Sequence, residues 1–157
     1  MIKLTKIIIF FFISIFFLNS CGFESIYSTK NTNFRFSEII TNDKKTSLDL
    51  KKNLSNYYSN DLSKTEYSLV IKLNQNRIIK SKNKKGEALV YSILINGEIL
   101  IYKNAELENT LNINEFFDYQ NTENKFDLSE YEGNIKDNLI SNIANDLIIK
   151  IIDLQND

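Results

Sequence analysis

Two groups of residues in this chain have types and spacings that can do chemistry. The first is a lone cysteine, Cys21, within Leu18-Asn19-Ser20-Cys21-Gly22-Phe23. An aliphatic residue three places before it and a small one directly before it form a lipobox-like cleavage site. Its thiol is therefore placed to be acylated once the preceding segment is cut away. The second group is Arg77, Lys80, Lys82, Lys84 and Lys85, which follow one another with no acid between them before Gly86 closes the run. Such a run can meet phosphates through charge-assisted hydrogen bonds. It can equally be a solvated hairpin tip whose lysines only keep a strand edge from pairing.

The segment before Cys21 has the layout of an export signal. Lys3 and Lys6 supply a short positive start, and Ile7 to Leu18 is apolar except for Ser14. That length suits a secretory apolar region of about 7–15 residues and falls short of the ~17–20 needed to span a bilayer. An uncleaved single-span anchor and a cleaved signal without lipidation are the two alternatives. A spare thiol is a liability in an exported protein, which favours lipidation. Each buried methylene of an acyl chain contributes about 0.8 kcal/mol, and stable anchoring takes more than one chain. The organisation expected is a leader over 1–20, a lipidated N-terminus and tether over 21–33, and one domain over 34–157.

Composition narrows the functions available. Removing residues 1–20 leaves 137 residues with 17 basic and 20 acidic side chains, a formal charge of −3. That is one domain by length, large enough to bury a core without disulfides. No overall basic excess exists, so nucleic-acid binding is not expected. The chain has no histidine, tryptophan or proline and only four glycines. With Cys21 assigned to the anchor, this removes Ser-His and Cys-His nucleophile systems and His/Cys zinc sites. No glycine-rich phosphate loop is present. The carboxylates are scattered through polar stretches, and Glu130 and Glu132 read as early-helix residues favoured by the macrodipole. Neither an enzyme nor a cofactor is expected, and no metal site.

The elements that must position the basic run can be read from periodicity. Phe34 to Ile39 alternates like a short strand. Thr46 and Asp49 have capping-box spacing, and Leu50, Leu54, Tyr57 and Tyr58 form one helical face ending near Asn60. Tyr67, Leu69, Ile71 and Leu73 mark a strand with one apolar face, reaching as far as Ile79. Leu89, Tyr91, Ile93 and Ile95 mark another. Asn96-Gly97 is a strong two-residue hairpin signal. Yet Ile99 and Ile101 continue the same odd-numbered series, so a continuous strand, kinked or bulged at Gly97, is preferred. A turn is then expected around 104–109 and a last strand over about 111–119. Asp127 and Glu130 suggest a capped helix, with a stripe of Leu128, Tyr131, Ile135, Leu139, Ile143, Leu147 and Ile151. The fold class expected is α+β. Its four-stranded, mainly antiparallel sheet carries two amphipathic helices on one face, in the order strand-helix-strand-strand-strand-helix.

These residues carry a family resemblance. The opening Cys21-Gly22-Phe23-Glu24-Ser25-Ile26-Tyr27 is similar to that of LptE, the lipopolysaccharide-assembly lipoprotein family, with Ser25 and Ile26 in place of proline and leucine. The element order, the size and the start Tyr67-Ser68-Leu69 agree. The resemblance implies an outer-membrane lipoprotein, facing the periplasm or a barrel lumen, that partners the β-barrel LptD. It also implies help in delivering lipopolysaccharide to the outer membrane, through basic residues resembling Arg77, Lys80, Lys82, Lys84 and Lys85 in character. Gly22 rather than aspartate after the cysteine agrees with outer-membrane sorting. The alternative is an envelope-anchored interaction or scaffold module.

Overall fold

The structure is a computed structural model that describes residues 32–156. The leader, Cys21 and the tether as far as residue 31 lie outside the described residues. The observed elements are β1 (Phe34–Thr41), α1 (Lys45–Asn53), β2 (Thr65–Lys82), β3 (Ala88–Lys103), β4 (Glu106–Gln120) and α2 (Lys125–Asn156). The sheet order is β1-β2-β3-β4. The β1–β2 pair is parallel and the other two pairs are antiparallel. This is the α+β fold expected, in the order expected.

One sheet face builds the core. Tyr67, Leu69, Ile71 and Leu73 of β2 are buried in one cluster with Ile93, Ile95, Ile99 and Ile101 of β3. Leu50 of α1, Leu54 at its C-terminal cap, and Leu128, Ile135, Leu139, Ile140, Ile143, Ala144, Leu147, Ile148 and Ile151 of α2 join that cluster. Neither helix would be stable alone, because helical stability in proteins comes mainly from burying the apolar face. In β1 the pairing shifts between Phe36 and Glu38. This bulge turns Ile39 into the core after Phe34 and Phe36, which explains why the alternation breaks there.

Several boundaries differ from the sequence expectations. The first helix stops at Asn53 rather than near Asn60, and a 3₁₀ turn over Ser55–Tyr57 follows it. That tighter turn stacks Tyr57 on Phe34 at 5.5 Å and leaves Tyr58 exposed. The expected Thr46 cap is absent, since the helix starts after Lys44 and Thr46 is buried within it. Asn42 and Ser47 secure that end instead. Asn42 Oδ1 accepts from Ser47 Oγ at 2.7 Å, and Ser47 Oγ accepts the Leu73 amide at 3.0 Å. Two side chains thus occupy the next rung of the sheet where β1 ends.

Strand β3 runs straight through Asn96-Gly97, as preferred, but without the expected bulge. The register Leu73↔Gly97↔Ile113 continues unshifted on both sides. Gly97 has φ +148°, and an added Cβ would collide with the carbonyl oxygen of Lys72. Close backbone approach, not a turn, requires the glycine. The real turn is the two residues Asn104 and Ala105, at φ +54° and +65°. This is the doubly left-handed geometry of a tight hairpin, so β4 begins at Glu106 rather than near Leu111. The last helix begins at Lys125, with Asn124 rather than Asp127 as its cap. Asn124 Oδ1 accepts the Phe126 amide at 3.1 Å, and Asn124 Nδ2 donates to Asp127 Oδ2 at 2.7 Å. The basic run also shifts in context: β2 extends to Lys82, so only Lys84 and Lys85 lie in a turn.

Candidate functional site

The end of β2 and the β2–β3 turn carry the basic residues, beside the adjoining end of β4, and the pleat divides them between faces. Lys84 and Lys85 lie in the turn over 83–87. Asn83 holds that turn: its Oδ1 accepts the amides of Lys85 and Glu87 at 2.9 and 3.0 Å. Glu87, an acid that follows the run, is tied back to Asn83 Nδ2 at 2.6 Å. Lys82 is the last β2 residue and pairs with Ala88. Lys80 falls in a bulge, where the register passes from Ile79↔Tyr91 to Ser81↔Val90. Its ammonium stands 5.5 Å from the Phe116 ring centre, on the sheet face away from the helices. Among the described residues none of these four lysines forms an ion pair, and all four are exposed.

Arg77 is placed differently. It lies on the helix-bearing face, and its guanidinium carbon sits 3.6 Å from the Tyr91 ring centre. Its Nε donates to Tyr119 Oη at 3.1 Å, and Nη2 pairs with Glu132 Oε1 at 3.0 Å. Tyr119 Oη donates in turn to the same Glu132 oxygen at 2.7 Å. Tyr131 meets Tyr119 edge-on at 6.2 Å, which accounts for an exposed tyrosine on the otherwise buried stripe. Burial pushes the Tyr119 hydroxyl up to about 12, and its bond to the Glu132 carboxylate adds to the rise. Burial works to lower the Arg77 value, but the bond to Tyr119 and the nearby Glu132 carboxylate raise it overall. Glu132 is therefore an ion-pair partner in the third turn of α2, beyond the first turn where the dipole acts.

Sequence reasoning missed the apolar side chains beside the lysines. Ile78 and Ile79 on β2, Leu89 on β3 and Phe116 and Phe117 on β4 are all exposed. β3 brings β4 alongside, with Leu94↔Phe116 and Ile93↔Phe117 in register. Adjacent Phe116 and Phe117 put one ring on each face, a signal readable from a strand with two neighbouring aromatics. Ammonium groups and exposed rings together make a surface suited to an amphiphile with an anionic head. Farther along the helix-free face, Asn74, Asn96 and Asn114 form one polar row across three strands. Among the described residues no group of three or more His, Cys, Asp or Glu side chains could hold a metal ion. No described helix is long and apolar enough to cross a membrane.

No protein-family model and no curated protein matches the chain. Solved structures do match its fold. The rare lipoprotein B from Shewanella oneidensis aligns with a TM-score of 0.54 at 12% identity, covering 77% of this chain and 98% of that one. A lipoprotein from Caulobacter crescentus aligns with a TM-score of 0.52 at 9% identity, covering 71% and 84%. At these identities the likeness is one of fold.

Proposed function

We propose that this chain is an LptE-like lipoprotein of the outer membrane, acylated at Cys21. In this reading it partners an LptD-like β-barrel and helps pass lipopolysaccharide to the outer membrane by binding, without catalysing a reaction. The observation that carries the reading is the hairpin end. Four lysines with no ion pair among the described residues share one end of the sheet there with exposed Ile78, Ile79, Leu89, Phe116 and Phe117, Lys80 standing 5.5 Å from the Phe116 ring centre. Lipopolysaccharide presents phosphates and acyl chains together, and this surface offers a partner to each. Support comes also from the opening Cys21-Gly22-Phe23 and from a fold shared with lipoproteins of solved structure.

The test is a binding titration of the full-length protein with lipopolysaccharide at low ionic strength. Replacing Lys80, Lys82, Lys84 and Lys85 together by glutamine should weaken binding about ten-fold or more. Exposed charge pairs contribute up to ~1 kcal/mol each, and four of them act here. The difference should shrink as salt is raised, because exposed charges are screened. Unchanged affinity at low salt would remove the site.

A further inference from the structure

The Arg77 cluster is built like a receptor whose ligand is already in place. Tyr91 supports the guanidinium by a cation–π contact from one side, and Tyr119 Oη fixes the direction of Nε. Aromatic support of this kind orients a planar cation without consuming its outward N–H groups. The anion it holds is the side chain of Glu132, and it is held poorly. A single carboxylate oxygen, Oε1, serves both Arg77 Nη2 and Tyr119 Oη. Among the described residues neither Arg77 Nη1 nor Glu132 Oε2 takes part in a hydrogen bond. An arginine fork is best satisfied by two parallel N–H···O bonds, so this pair leaves half of the fork unused. The pair is also open to solvent, with 43% of the Arg77 side chain and 24% of that of Glu132 exposed.

We infer that Arg77 is an anion seat filled by Glu132 in the unliganded protein, and that a phosphate group of the ligand replaces Glu132 there. The inference rests on the binding function proposed above and adds an internal competitor to it. A phosphate can engage Nη1 and Nη2 together and still accept from Tyr119 Oη, which the present carboxylate geometry does not achieve. Because Arg77 and Lys80 stand on opposite faces of the hairpin, the seat is separate from the lysine surface. Exchange also frees Glu132 from the hairpin, so capture of an anion at β2 loosens the tie between β2 and the N-terminal half of α2.

The experiment uses full-length protein and purified lipopolysaccharide at low ionic strength. Glu132→Gln keeps a side chain of the same shape and removes the competing charge, and affinity should rise about five-fold, the scale set by a partly exposed ion pair. Glu130→Gln removes the same charge from an exposed neighbouring position and should leave affinity within two-fold (roughly the margin of an unpaired surface charge). Adding Arg77→Gln to Glu132→Gln should abolish the gain. In the wild-type protein the Arg77 Nε–H resonance should move on titration with inorganic pyrophosphate, an arm that does not depend on any variant folding. If the wild type does not bind lipopolysaccharide, the functional reading fails and this inference with it. If the wild type binds but Glu132→Gln shows equal or weaker affinity, or the Arg77 resonance stays still, the seat is only a structural tie and this inference alone fails.

Discussion

At the scale of single residues, Tyr119 joins packing to charge. It is buried against Tyr91 and Tyr131 while its hydroxyl sits between Arg77 and Glu132. Its pKa rises from 10.0 to about 12, mainly through burial, so the folded state favours the neutral phenol. A group raised in this way contributes fully below its unfolded value and loses that contribution as pH climbs through the folded one. Stability from Tyr119 should be intact below about pH 10 and decline between there and about pH 12. Tyr119→Phe should remove the most alkaline part of a tyrosinate absorbance titration; an unchanged titration would argue against the buried, bonded phenol. None of this network was legible in the sequence. Arg77, Tyr91, Tyr119 and Glu132 are far apart in the chain, and only strand register brings the first three together. The lysines, by contrast, were legible because they crowd into the short stretch from Lys80 to Lys85 with no acid between them, and the lone Cys21 because its neighbours carry the signal.

At the scale of elements, two glycines should behave in opposite ways. Gly133 lies in α2 with open space where a Cβ would go. Gly133→Ala should therefore stabilise the fold by about 1 kcal/mol, read as a raised midpoint in urea unfolding. Gly97→Ala should cost about 2 kcal/mol or more, because its φ is positive and the Lys72 carbonyl blocks the new methyl group. Equal tolerance at both sites would contradict the continuous β3 strand. That strand was readable because a slip at Gly97 would have turned Ile99 and Ile101 away from the core. The turn at Asn104-Ala105 was harder to find: alanine is an unusual residue at φ +65°, and it sends no turn signal. The helix caps were misplaced for a related reason. Thr46 and Asp127 have cap chemistry, but Asn124 reaches the first amides of α2. Helix α1 starts after Lys44 with no side-chain cap, Asn42 and Ser47 tying its start to β2 instead.

At the scale of the whole molecule, the two sheet faces are unequal. Both helices pack on one, and the other presents a row of asparagines and ends in Lys80 beside Phe116. A chain of formal charge −3 after Cys21 thus concentrates exposed positive charge and exposed rings at one hairpin end. That polarity is what the proposed function would use, with an anionic lipid at one end and a protein partner elsewhere. The claim at stake is the partnership with a β-barrel. Tagged full-length protein, solubilised from the membranes of the cells that make it and purified under mild detergent, should retain a large β-barrel protein in near-equal amount. Recovery of the protein from those membranes with no barrel bound would contradict the account.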